Sequence, residues 1–354
     1  MNPDFLLSSY TYDLPQPLIA QNPAVPRDSS RLLIVNPRLG SEHSVFRDLA
    51  DWLNPGDLLV LNNTRVIPAR LYGHKTTGSQ VEILLIEERG ADRWLALVKP
   101  GKRFTLGAKI NFVSANHSTL QAEVVAKDEA TGGRILQFSV PPGKSLWQLL
   151  DDYGQLPLPP YITESEAPGE RYQTVYAEEP GAIAAPTAGL HFTPELLAQL
   201  TERGIEQAQI TLHVGIGTFR PVEIEQIEGH TMHQEWIEVS ESTVKQIRAT
   251  KANGGRVIAV GTTVTRALEG AAAASESGQL EPFRGKTDLF IYPGYQWQVI
   301  DGLITNFHLP GSSLLMLVSA MIGRERLLKL YQEAITLNYR FYSFGDAMFI
   351  LPQK

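Results

Sequence analysis

Apolar and polar positions change rhythm along the chain. Arg31–Val35 (RLLIV) is a short apolar run after Ser29-Ser30, and it predicts a strand. Val45–Leu53 has apolar residues at helical spacing and meets Asn54-Pro55-Gly56, so a helix is expected to end there. Asp57–Leu61 (DLLVL) reads as a buried strand running into the polar knot Asn62-Asn63-Thr64-Arg65. From Val66 to Val140 short β-type runs follow one another: VIPARLYG, QVEILLIEE, RWLALVKPG, AKINFVS, TLQAEVVAK and GRILQFSV. Six strands with short turns and no helix between them predict a small closed or half-closed barrel.

Ser145–Tyr153 predicts a short helix. Gln155–Pro160 predicts an extended returning linker, because proline restricts itself and its predecessor. The acidic tract 164–180 is expected to be a surface loop. Beyond residue 181 strands and helices alternate. Thr193 caps a helix Pro194–Arg203 that Gly204 ends, and Glu206–His213 is a strand. Ser240 opens a helix to Ala252, Arg256–Val260 is a buried strand, and GTTVTRALEGAAAA continues it as a turn and helix. Thr287–Tyr292, Leu303–Asn306 and Ala347–Leu351 are expected strands, and Ser312–Ile322 and Arg324–Leu337 expected helices. Such alternation implies an α/β fold. The expected architecture is a discontinuous α/β domain, 1–62 and 154–354, with an inserted small β-barrel domain, 63–153.

The 354 residues suffice for two domains, and 43% hydrophobic with 19% charged content is ordinary for a soluble protein. Cysteine is absent, which removes disulfides, cysteine-based zinc sites, iron–sulfur clusters and thiol nucleophiles. The N-terminus lacks a basic region followed by an apolar run, so no signal peptide is expected. The most apolar run, Leu314–Ile322, is far short of the ~20 residues that span a bilayer. A cytoplasmic monomer is the expectation. Net charge is −7, but Thr64–Val140 holds 11 Lys/Arg against 7 Asp/Glu, a local +4, leaving 20 basic and 31 acidic residues (−11) elsewhere. That segment is either an ordinary solvated surface or a footprint for a polyanion.

Four of the 8 histidines, His191, His213, His230 and His233, fall between Ala185 and Glu235 amid Gly, Thr and Pro. Histidine exchanges a proton near neutral pH, and glycine admits a ligand close to the backbone. Gly215-Ile-Gly217 lacks the third glycine of a dinucleotide fingerprint, that position being Arg220, and no phosphate-loop motif occurs. Gly261-Thr262-Thr263 after a strand places hydroxyls and N–H groups at a helix N-terminus, which serves either as a cap or as an anion or ribose seat. His230, His233 and Glu235 could ligate a metal, but the spacing is not HExxH and three residues within six converge poorly. His308 lies in another Gly/Pro turn, and Tyr339, Phe341, Tyr342 and Phe344 crowd before Asp346, either stacking a base or packing a core.

Ten stretches together resemble one family. They are YDLPQPLIAQNPAVPRDSSRLL, GDLLVLNNTRVIPARLYG, GQLPLPPYI, RYQTVYA, GAIAAPTAGLHFT, TLHVGIGTFRPV, HTMHQEWIEV, VGTTVTRALE, ITNFHLPGSSLLMLVSA and YRFYSFGDAMFI. The chain is thereby similar to the S-adenosylmethionine:tRNA ribosyltransferase-isomerases of the queuosine pathway, along its length and in order. The resemblance implies transfer and isomerisation of the ribosyl part of S-adenosylmethionine onto 7-aminomethyl-7-deazaguanine at the tRNA wobble position. The products are epoxyqueuosine, adenine and methionine. It implies S-adenosylmethionine as a co-substrate, tRNA as partner, no prosthetic group and no metal. Rival classes are a methyltransferase, a His/Glu metal-dependent hydrolase and a noncatalytic RNA-binding module. For the chemistry we expect His191, His213, His233 and Asp346 in one cleft, with His191 as general base because the Thr187-Ala-Gly189 turn before it can admit substrate. Thr187, Gly189, Arg220, Thr262 and Thr263 are the expected donor-binding residues, and Arg65, Arg70, Lys75, Lys99, Lys102 and Arg103 the expected tRNA contacts.

Overall fold

Five consecutive residues, Leu58–Asn62, are buried at every position, which a strand achieves when both faces of its sheet are covered. In a computed structural model this strand lies inside a nine-stranded sheet. The described residues are 2–36, 40–101, 104–215, 217 and 222–352; the expected contacts Lys102, Arg103 and Arg220 lie outside them. In chain order the strands are β1 (Arg31–Asn36), β2 (Gly40–Val45), β3 (Leu58–Asn62) and the short β4 (Thr64–Val66). There follow β5 (Arg70–Lys75), β6 (Gln80–Gly90), β7 (Arg93–Lys99), β8 (Lys109–Val113), β9 (Thr119–Lys127), β10 (Arg134–Ser139) and helix α1 (Leu146–Tyr153). After the short β11 (Gly154–Gln155) and β12 (Glu179–Ala182) come α2 (Pro194–Glu202), β13 (Glu206–His213), β14 (Glu235–Val239) and α3 (Glu241–Ala252). The chain closes with β15 (Val257–Val260), α4 (Thr262–Ala274), β16 (Phe283–Thr287), β17 (Gly302–Asn306), α5 (Ser313–Ile322), α6 (Arg324–Thr336) and β18 (Ala347–Ile350).

The chain forms two compact units: Met1–Arg65, Pro159–Pro180 and Ala185–Lys354 in one, Val66–Leu158 with Gly181–Ala184 in the other. In the first the sheet order is β16-β14-β13-β3-β15-β17-β18-β1-β2. The central β13, β3, β15 and β17 are mutually parallel, β18 is antiparallel to β17, and β1 is parallel to β18. Period-two residues of neighbouring strands, among them Leu32, Ile34, Leu59, Leu61, Ile258, Val260 and Phe349, form one apolar face with Phe46, Phe192, Leu196 and Leu200. Each such side chain stabilises the fold by ~1.5–3 kcal/mol when buried. Helix α4 packs against β13 and β15.

The second unit is a six-stranded ring, β5-β6-β7-β10-β9-β8, closed by pairing of β8 with β5. At the closure an added Cβ on Gly73 would lie 2.7 Å from the Asn111 carbonyl oxygen and 2.8 Å from the Phe112 ring. A side chain there would push the two strands apart. Buried Leu71, Ile83, Trp94, Ile110, Phe112, Ala122, Leu136 and Phe138 are core residues of this unit. Ser145 and Gln148 close a capping box at the start of α1.

Four expectations need correction. The helix over Val45–Leu53 is a shorter 3-10 segment, Phe46–Asp51, that stops ahead of the Pro55 turn. The strand expected at Thr287–Tyr292 is displaced to Phe283–Thr287, a polar outer strand bonded on one side only. The tract 164–180 is not all surface, since Tyr172, Gln173 and Thr174 are buried. Arg65, placed with the barrel from its sequence, belongs to the first unit.

Candidate functional site

One edge of the nine-stranded sheet collects most of the expected residues. The parallel strands place their C-terminal ends there: His213 ends β13, Asn62 ends β3, Gly261 follows β15 and Asn306 ends β17. Register continues the line, with Asn306 opposite Ala347 and Ala347 opposite Leu32, so Asp346 and Ser30–Arg31 lie at the same edge. Open α/β sheets bind ligands at this edge. From β13 to β18 there are four inter-strand spacings of ~4.8 Å, or ~19 Å. His213 and Asp346 therefore cannot share one reacting atom. The groups expected in one cleft are arranged as a line along this edge.

His191 is 4% exposed, at the end of a 3-10 turn, Thr187–His191, and stacks on Phe46 with ring centroids 4.9 Å apart. The Asn306 side-chain nitrogen lies 3.2 Å from His191 Nε2 and also donates to the Tyr342 carbonyl at 3.2 Å. The Tyr342 carbonyl can only accept, which fixes the amide orientation, and Thr187 Oγ1 then donates to Asn306 Oδ1 at 3.0 Å. An amide nitrogen can only donate, so His191 Nε2 accepts and the ring proton sits on Nδ1, facing Ser30 Oγ at 2.7 Å. Burial pushes this ring's pKa down to about 4 despite the nearby Asp346 charge. Both ring nitrogens of His191, the expected base, are thus engaged by protein groups rather than turned toward a substrate.

His213 differs. Its Nδ1 lies 2.8 Å from Thr64 Oγ1, and the ring stacks on Trp236 at 5.0 Å. It is half-buried, and burial lowers its pKa to about 4. His233 is exposed; an added Cβ on Gly217 would lie 2.5 Å from its ring. Asp346 is 2% exposed and accepts the Arg31 N–H at 3.0 Å and the Arg340 N–H at 2.8 Å. Both guanidinium groups lie within 3.5 Å of it. Its carboxylate ties the start of β1 to the segment that leads into β18.

Thr262 is buried in the first turn of α4, and Thr263 Oγ1 is buried without a partner among the described residues. One turn later Arg266 pairs with Glu235, both almost fully buried. Glu235 also accepts the Gly215 N–H at 3.0 Å. Among the described residues no group of three or more His, Asp or Glu could hold a metal. Sequence reasoning missed Asn306, Ser30 and the Glu235–Arg266 pair. It noticed the Asn62-Asn63-Thr64 knot without a role: Asn62 brackets the Leu212 backbone, and Asn63 accepts from Thr211 Oγ1 at 2.7 Å. It also missed a polar cleft of about 470 Å³ lined by Asn63, Tyr176, Gln209, Thr211 and Ser242 among others.

Of the expected tRNA contacts, Arg65 is paired with Glu170 at 3.2 Å. Arg70 is paired with Glu82 and donates to the Leu158 carbonyl at 3.3 Å. Lys75 lies 4.8 Å over the Phe104 ring, and Lys99 is exposed.

A discontinuous α/β unit with polar groups at the carboxyl ends of parallel strands, interrupted by a closed barrel, defines an α/β enzyme with a β insertion. The profile of the family described as queuosine biosynthesis protein matches residues 7–350, and the chain belongs to that family. It is 66% identical to the S-adenosylmethionine:tRNA ribosyltransferase-isomerase of Nostoc sp., over 99% of this chain and 93% of that protein. To the enzyme of the same name from Thermosynechococcus vestitus it is 59% identical, over 99% and 97%. A crystal structure of S-adenosylmethionine tRNA ribosyltransferase from Thermotoga maritima is similar with a TM-score of 0.56 at 38% identity, covering 97% of this chain and 100% of that one. No described helix is long and apolar enough to cross a membrane.

Proposed function

We propose that the protein transfers and isomerises the ribosyl moiety of S-adenosylmethionine onto 7-aminomethyl-7-deazaguanine at the wobble position of tRNA. Epoxyqueuosine, adenine and methionine are released, and the enzyme acts in the cytoplasm as a monomer. The observation that carries this reading is the family match over residues 7–350. The sulfonium acidifies the ribose 5′ C–H, so a positioned, unprotonated base can remove that proton. His213 suits this better than His191. Its ring is neutral at pH 7, Thr64 and Trp236 orient it, and it is less enclosed. His191, Asn306 and Asp346 are positioning residues that hold the 187–191 turn and the strand ends.

The test is turnover with S-adenosylmethionine and tRNA bearing the aminomethyl-deazaguanine. Adenine and methionine should appear in equal amounts, with the matching mass gain in the wobble nucleoside. His213→Gln should lower turnover by ~10²–10⁴-fold without lowering the melting temperature. Formation of S-adenosylhomocysteine in place of adenine would make the protein a methyltransferase and sink the reading.

A further inference from the structure

Three buried hydroxyls without a hydrogen-bond partner among the described residues flank one short turn. They are Thr174 Oγ1, Tyr176 OH and Thr263 Oγ1. The turn is Thr187–His191. An added Cβ on Gly189 would lie 2.1 Å from Tyr176 OH and 2.8 Å from Thr174 Cγ2, so only glycine lets this phenol rest against the backbone. On Ala188, the preceding residue, Cβ lies 3.5 Å from the point where a Cβ on Gly261 would stand, and Thr263 Oγ1 is also 3.5 Å from that point. The RYQTVYA segment and the start of α4 thus both bring hydroxyls to the turn that ends in His191.

A buried hydroxyl left unpaired is costly, and a protein seldom keeps several together unless something else pairs with them. We propose that Thr174, Tyr176 and Thr263 form the subsite that grips the sugar hydroxyls of the ribosyl donor; this rests on the functional reading above. Each of these groups both donates and accepts, as each hydroxyl of a vicinal diol does. Burial raises the pKa of Tyr176, so its phenol keeps the proton it would donate. A carboxylate in this place would require a free cation. Arg27, whose charge is felt at Tyr176, already donates to the backbone carbonyls of Gln173 at 2.6 Å and Glu170 at 3.3 Å. A neutral diol fits the chemistry better than an anion.

Tyr176→Phe, Thr174→Val and Thr263→Val each delete one hydroxyl with little change of shape. Titration calorimetry of the full chain with S-adenosylmethionine should show donor affinity lower by about five- to fiftyfold in each. Their melting temperatures without donor should be unchanged or higher, since an unpaired buried hydroxyl has been removed. The second measurement uses 2′-deoxy and 3′-deoxy forms of the donor. At least one of them should bind the wild type weakly and Tyr176→Phe no more weakly still. Lower melting temperatures with unchanged donor affinity would overturn the proposal, because the hydroxyls would then be structural. Equal further loss with both deoxy donors would overturn it too, because the hydroxyls would hold another part of the molecule. Absence of adenine release by the wild type would instead refute the functional reading, which these binding measurements do not address.

Discussion

His191, His213 and His308 are all held neutral by burial, with pKa values pushed down to about 4, about 4 and about 3. An unfolded histidine takes its proton near pH ~6.5. Between that value and the folded one the unfolded chain binds more protons than the folded chain. The stabilisation is therefore complete above pH ~6.5 and is lost as pH falls toward 4. One such proton corresponds to ~1.4 kcal/mol per pH unit. His308 offers a clean measurement, because its Nε2 sits 2.7 Å from Thr305 Oγ1 and its backbone N–H is bonded to the Tyr331 hydroxyl. In urea unfolding between pH 5 and 6.5, His308→Gln should flatten the fall of stability by about one proton's worth. An unaltered slope would mean that the ring is already charged in the folded protein.

At the scale of elements, Glu269 ties α4 to the segment before β17. It is fully buried and accepts the N–H groups of Gln298, Val299 and Ile300 at 3.0 Å each and the Tyr295 hydroxyl at 3.1 Å. Glu269→Ala would orphan four donors, and chemical denaturation should show a loss of at least ~3 kcal/mol. A loss below ~1 kcal/mol would mean that the segment reorganises around the gap. In the sequence α4 announced itself by its strand–turn–helix pattern, but nothing marked Glu269 as more than a surface charge. The same division runs through the fold. β13, α2 and α3 were legible because apolar period and caps agree, as Thr193 and Ser240 bond to the N–H groups of Leu196 and Thr243. β2 and β16 were not, because outer strands are polar and carry weak apolar alternation. The candidate site was suggested in the sequence by histidines in glycine-rich turns. Its wiring was not, since the Ser30–His191–Asn306 contacts join residues more than a hundred positions apart.

For the molecule as a whole, charge is divided between segments, and the barrel segment carries the basic excess. If that excess meets tRNA phosphates, reversal of Lys99, Lys102 and Arg103 to Glu should weaken tRNA binding. The slope of log affinity against log salt should fall by ~2–3, as counterion release at three contacts requires. An unchanged affinity and slope would leave the excess as ordinary surface. The strand order has a separate consequence, for the chain as it is made. β1 finds its inner neighbour in β18, Leu32 pairing with Ala347, and β3 finds its neighbours in β13 and β15. Among the described residues the barrel strands pair with segments emerging between Arg70 and Gln155. At ~5–20 residues per second, the 315 residues from Leu33 to Ala347 take roughly 15–60 s to synthesise. The barrel can close on the ribosome while the first apolar strands still wait for the last one, so a nascent chain stalled before residue 347 leaves β1 without its parallel partner.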